Sequence, residues 1–478
     1  MASISLFEAS ISLFCFLKSF QSYPWNWPVL GMLPAVLMRL SQIDDIIWVL
    51  EKNNLTFIFR GPWFTRLHGL ITVDPANIHH ILSSSFSNYI KGPKFKEYFD
   101  VFGDGIFNAD AELWKNLRMS SQTVLNHQGF QNFRLSEDGT VVDLQDVFRR
   151  LMFDISLVTI TGSDPQSLSI EMPEVEFAKA FDDAGEAILF RHIIPRFLWE
   201  LQKRMGLGKE KKLTEAGSTF DRICTRYIFA KREEKRSTEN DHDHSNGESE
   251  DLLTSHIKLD TSKYQLLNPS DDKFLRDTIL TFIFAGRDST SSALTWFFGL
   301  LSRNPHVEAK IRQEINTNIP IAGTMFLNKL VYLHGALYET MRLYPPVPFE
   351  RKSPIKSDVL PSGHKIDANS HVIIPIYALG RMRSVWGEDA WEFKPERWIS
   401  ETGGLRHEPS SKFLVFNSGP RTCLGKHIAM TAMKTVVVEI LQNYDIKLVK
   451  GHKIEPKPRL ILHMKHGLRV TLTKRCSA

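Results

Sequence analysis

The run from Phe274 to Leu301 is apolar nearly all round and holds no proline. That pattern predicts one long helix buried on every side. Arg287 and Asp288 at its middle argue against a membrane span, where charge is costly. Helical periodicity also dominates from residue 77 to about 236, and again from the long helix to about 343. Between 36 and 85 the pattern mixes an amphipathic helix with two short strands, near 56–59 and 70–73. Residues 347–376 read as short strands with a turn at Pro361-Ser362-Gly363. An irregular, proline-rich stretch follows, then a helix over 426–443 and closing strands. No internal repeat is visible. The fold class is mainly α with a minor β-sheet, an α+β arrangement.

The N-terminal apolar run ends at Lys18 and is interrupted by Glu8. It is shorter than the ~20 residues of a spanning helix, and no small-residue cleavage site follows. We expect a short anchor over 1–22, a stiff proline- and tryptophan-rich hinge over 23–34, and a single domain over 35–478. Residues 231–251 form the one low-complexity stretch and read as a solvated loop. His242 and His244 alternate there with Asp241 and Asp243, a surface pattern rather than a metal site.

Composition adds bounds. The 478 residues are 42% hydrophobic and 24% charged, enough for a large core. Lys+Arg minus Asp+Glu is 59 − 54 = +5, which does not imply a nucleic-acid partner. It suits an anionic membrane surface or an acidic protein. The four cysteines, Cys15, Cys224, Cys423 and Cys476, follow no metal or disulfide spacing, so we read a reducing compartment.

The chemistry centres on Cys423, framed by Phe416, Gly419, Arg421 and Gly425 just before a helix. Glycine lets backbone approach a flat cofactor. Arginine can pair with a carboxylate on its edge. A following helix N-terminus stabilises a thiolate. A buried, inert cysteine is the bland alternative. Three companions bear on it. Glu339 and Arg342 lie one turn apart, and Arg397 in Phe393–Trp398 can join them in a structural network. Asp288, Ser289 and Thr290 follow Gly286 in the long helix, where a kink beside a carboxylate and hydroxyls can hold a water for proton delivery. Trp114 and Arg118, one turn apart, can both reach a carboxylate.

Together these residues resemble the cytochrome P450 family of haem-thiolate monooxygenases, in order and spacing from about residue 24 onward. The resemblance implies haem b with Cys423 as axial iron ligand. It implies Arg421, Trp114 and Arg118 on the haem propionates, and Asp288 and Ser289 in O₂ activation. Ser289 stands where the family most often has threonine. It further implies an NADPH-cytochrome P450 reductase as partner, with Lys115, Lys412 and Lys426 near the electron-entry face, and the cytosolic face of the endoplasmic reticulum membrane. The finer resemblance is to plant fatty-acid ω-hydroxylases and alkane hydroxylases. It is strongest to midchain alkane hydroxylases of cuticular wax, carried by 24–34, Asn77–Leu82 and Met464–Leu468. Family pattern places Phe107, Thr281, Phe282, Ala285, Val347, Phe349, Leu460 and Ile461 on the substrate wall. A terminal fatty-acid hydroxylase stays open as a rival. So does an inactive haem-binding or mis-spliced chain, because 125–142 is shorter, and 319–326 longer, than the family pattern.

Overall fold

The computed structural model describes residues 26–38, 43–63, 68–122, 141–169, 171–240, 251–318, 324–457 and 459–475. The expected anchor, the start of the hinge, nearly all of 125–142, His242 and His244, and most of 319–326 lie outside the described residues. Within the hinge, Trp27 and Gly31 form a bridged turn that leads into helix Leu33–Met38. No described helix is long and apolar enough to cross a membrane.

The central helix spans Asp272–Leu301, and the Asp271 side chain caps it by accepting from the Lys273 N–H. Its most extensive packing is against helix Leu144–Thr161. The helix is continuous through Gly286. Glycine permits close approach there: a Cβ on Gly286 would lie 2.9 Å from Ser156 Oγ. Helices Glu176–Ile193 and Gly208–Asn240 pack on one another above this pair.

The charged run read as a loop is helical up to Asn240. Pairs one turn apart explain it, Lys231 with Glu234 and Arg236 with Glu233, because opposite charges at that spacing support a helix. The helical stretch expected from residue 77 onward is also interrupted, by the short strands Tyr89–Ile90 and Val141–Asp143.

Five strands form the main sheet, in the order β1 (Thr56–Arg60), β2 (His68–Thr72), β8 (His371–Ile374), β5 (Glu350–Pro354), β3 (Tyr89–Ile90). Among the described strands only β2 and β8 pair in parallel. A second sheet joins β4 (Val141–Asp143), β12 (Arg469–Lys474) and β9 (Tyr444–Leu448). Two small hairpins pair β6 (Asp358–Val359) with β7 (Lys365–Ile366), and β10 (Pro456–Lys457) with β11 (His463–Met464). The larger apolar core joins the main sheet, the second half of the central helix and helices Val331–Leu343 and Lys426–Asn443. A second, phenylalanine-rich core lies between the first half of the central helix and the two helices above it. The site falls between the two cores.

Candidate functional site

Cys423 lies two residues beyond the turn Gly419–Arg421 and three before helix Lys426–Asn443. Gly419 shapes this loop: its φ is +63°, and a Cβ there would lie 2.0 Å from the Leu82 carbonyl oxygen. The Cys423 N–H donates to the Phe416 carbonyl at 2.7 Å. Phe416 is half-buried, with Lys426 Nζ 5.4 Å from its ring centre. Around Gly425, no protein atom lies within 4 Å of a would-be Cβ.

The Cys423 side chain is exposed, yet burial is the leading influence on its thiol, pushing it up. Both hold for a group facing an interior space. The N–H groups of Gly425 and Lys426, and the charges of Arg118 and Lys426, pull the thiol back down without cancelling burial. Ala285 is a second exposed small side chain on a largely buried element. It is exposed midway along the central helix, two residues before the buried Arg287 and Asp288.

Three sequence-named residues meet beside the loop. Arg118 Nη1 donates to the Thr422 carbonyl at 2.8 Å. The Arg421 guanidinium lies 4.6 Å from the Trp114 ring centre and donates to Ala109 O at 2.6 Å and Asp110 Oδ1 at 2.7 Å. Sequence reasoning missed Lys352 of β5. It is 1% exposed, and its Nζ lies 3.3 Å from Glu350 Oε1, the carboxylate oxygen that Lys91 also holds at 2.8 Å. Burial, only partly offset by Glu350 and reinforced by Lys91 and Arg421, lowers its ammonium to about 8. A fully buried ammonium whose carboxylate is shared with a second lysine is costly. An acidic cofactor edge would offset that cost, so the donor set fits a haem carrying carboxylates.

Asp288 turns to helix Leu144–Thr161. Its Oδ1 lies 3.4 Å from Arg149 Nε and 3.7 Å from Arg287 Nε. Burial alone would raise this carboxyl, but Arg287, Arg149 and His463 outweigh it and hold it at about 2. Arg149 and Arg287 both also bond to Asp182, which borders a polar pocket of about 200 Å³ open to solvent. Ser289 Oγ instead donates back to the Ala285 carbonyl at 2.7 Å, on the face toward the interior space. Thr290 is buried. Arg149, 139 residues from Asp288, carried no sequence signal that named it.

The Glu339 carboxylate, fully buried, takes both forks of Arg342 at 2.8 Å, Arg397 Nε at 3.3 Å, Trp398 Nε1 at 2.8 Å and the Lys394 N–H at 3.1 Å. Arg342 is completed by the carbonyls of Gly380, Ala390 and Glu392. Every member is satisfied, the condition under which a buried ionic network does not penalise the fold.

On the apolar side, Phe107 packs on Phe95, Phe99 and Phe284. Val347 is exposed, and Phe282 and Phe349 are half-buried. Leu460 and Ile461 are each 8% exposed. Thr281 does not belong to this wall. It is buried against Gly105, where a Cβ would come within 2.1 Å of its hydroxyl.

A lone thiol just before a helix, facing an interior space beside the half-buried Arg118, Arg421 and Lys426 and the buried Lys352, fits a haem-thiolate protein. The family model for cytochrome P450 matches residues 23–472, and the chain belongs to that family. It is a monooxygenase that binds haem iron through a thiolate. It is 53% identical over 469 residues to the alkane hydroxylase MAH1 of Arabidopsis thaliana, covering 94% of this chain and 93% of that protein. It is 39% identical over 511 residues to a noroxomaritidine synthase of Narcissus aff. pseudonarcissus MK-2014, covering 98% and 96%. Against cytochrome P450 86B1 of Arabidopsis thaliana it is 37% identical over 518 residues, covering 99% and 91%.

Proposed function

We propose that the chain hydroxylates long-chain alkanes at midchain positions, giving secondary alcohols and then ketones. The observation that carries this reading is the 53% identity to an alkane hydroxylase, spread over 94% of the chain. An apolar wall of Phe107, Phe282, Ala285, Val347 and Phe349 supports it. Each buried CH₂ contributes about 0.8 kcal/mol, so a long chain binds through shape and area without a polar handle.

In this reading the Cys423 thiolate would hold the haem iron. Arg421, Trp114, Arg118 and Lys352 hold the acidic edge of the cofactor. When bound, the haem supplies a thiolate-ligated iron that activates O₂ for insertion into an unactivated C–H bond. Ser289, Thr290 and Asp288 manage the protons this needs. Ser289 presents its hydroxyl to the interior space. Asp288, held ionised by Arg149 and Arg287, lies one residue back and near the solvent-open pocket. The Glu339–Arg342–Arg397 network fixes the segment leading to Cys423.

Electrons come from an NADPH-dependent flavoprotein reductase. Lys115, Lys412 and Lys426 are candidate contacts, although Lys115 and Lys412 are already paired with Glu112 and Glu408. The N-terminal segment anchors the enzyme on the cytosolic face of the endoplasmic reticulum.

The test is a reduced-CO difference spectrum followed by product analysis. The expected result is a thiolate-type Soret band, lost in Cys423→Ala, and a secondary alcohol from a long alkane. An ω-hydroxy acid from a fatty acid, with no product from the alkane, would replace this reading with a terminal hydroxylase. No haem incorporation would leave an inactive or mis-spliced chain.

A further inference from the structure

β5 sends alternate side chains to opposite sides. Glu350 and Lys352 face Lys91, whose Nζ is 2.8 Å from Glu350 Oε1, on the side where Arg421 lies. Arg351, between them, faces the other way, on the same side as Phe349. It is 8% exposed, and its guanidinium lies 4.8 Å from the Tyr98 ring centre. Arg351 pairs with Ile373 of β8, so His371 is its diagonal neighbour, with both ring nitrogens 2.9 Å from Arg351 Nη2.

The surroundings of Arg351 are aromatic or basic. The His192 ring lies 4.7 Å from Tyr98, 5.6 Å from Phe99 and 6.2 Å from Phe349, centre to centre. Phe99 leads on to Phe107 and Phe284, and so to the central helix. Lys94 Nζ is 3.5 Å from His371 Nε2. Burial, with the charge of Arg351 next, lowers both His192 and His371 to about 3, so both rings are neutral near pH 7. Among the described residues no carboxylate bonds to Arg351. Its partners are the neutral Tyr98 and His371 side chains, so the buried guanidinium lacks a counter-ion, and a carboxylate arriving there would offset that cost.

We propose that Arg351 is a seat for the carboxylate end of a long-chain substrate, so that the enzyme takes fatty acids as well as alkanes. A guanidinium presents a planar fork that binds a carboxylate through two parallel N–H···O bonds. The aromatic wall from Tyr98 and Phe99 through Phe107 to Phe284 then receives the acyl chain. An alkane uses the same wall and leaves the fork empty, so the seat changes affinity for one class of chain and not for the other. This inference rests on the aliphatic reading of the site given above.

The experiment uses the haem-loaded full chain and follows the Soret band while dodecane, dodecanoic acid or methyl dodecanoate is added. The acid is expected to bind about 10- to 100-fold tighter than its ester, the range of a buried charge-assisted pair. Arg351→Met should bring the acid-to-ester ratio close to one and leave the ester and alkane affinities unchanged. Arg351→Lys should keep part of the ratio. Equal binding of acid and ester by the unmodified enzyme overturns the seat alone, as does an undiminished ratio in Arg351→Met. If Arg351→Met fails to load haem, the unmodified enzyme and Arg351→Lys still decide. No response to alkane, ester or acid overturns the aliphatic reading and the seat with it.

Discussion

The Trp398 indole N–H donates to Glu339 Oε2 at 2.8 Å, inside a network that also ties Arg342 and Arg397 to the same carboxylate. Glu339→Gln leaves two guanidiniums facing a neutral amide. Breaking a buried pair on one side costs about 3–5 kcal/mol, a large part of a typical folding margin. Urea unfolding should show that loss, and the share of protein giving a thiolate-type CO band should fall with it.

Arg118 is one of the groups that lower the Cys423 thiol. Removing it with Arg118→Leu lets the thiol rise, so the proton returns at a higher pH. In the haem-free chain, alkylation of the Cys423 thiolate should therefore begin at a higher pH in Arg118→Leu than in the unmodified chain. Identical pH profiles would count against a role for Arg118 at the thiolate.

Asp288 sits at about 2 in the fold, below its ordinary 3.8. A carboxyl depressed by folding contributes stability above its unfolded pKa, and that stability is lost as pH falls through the folded one. The window is therefore pH ~4 down to ~2, and the contribution is on the order of 2 kcal/mol. Asp288→Asn should be less stable than the unmodified chain at pH 6, and the gap should shrink through that window. Urea unfolding at stepped pH checks this.

At Gly419, both a left-handed φ and a Leu82 carbonyl 2.0 Å from a would-be Cβ oppose any side chain. Gly419→Ala should cost well over ~1 kcal/mol and reduce haem content. Gly425→Ala, with no protein atom within 4 Å of the new Cβ, should leave the haem-free chain within ~0.5 kcal/mol. Melting of the two variants without haem, followed by haem titration, separates backbone strain from loss of room at the cofactor.

Much of this architecture is written in local pattern. The helix Lys426–Asn443 begins and ends where its periodicity does, and the central helix starts two residues earlier than its apolar run. The Cys423 loop and the Glu339–Arg342 turn are short-range signals of the same kind. What escaped the sequence depends on packing between distant segments. Arg149 meets Asp288 because two helices lie side by side, and Asp110 meets Arg421 across 311 positions. Lys352 and Arg351 are adjacent charges whose different surroundings appear only once β5 is paired. The room that Gly286 leaves for Ser156 of a neighbouring helix is invisible for the same reason. The charged run up to Asn240 erred in the other direction, because composition says solvated while the spacing of its opposite charges says helix.

The alternation of β5 also sets a rule for how such a site can diverge. A one-residue gain or loss in the short link between Arg342 and β5, where it slides the pairing of β5 along β8 by one, would exchange the outlooks of Arg351 and Lys352. Both sides would then be altered by a single event. Point replacement at 351 alters one side only. Descendants of this chain that change their choice of substrate are therefore expected to keep the length of that link fixed and vary the identity of residue 351.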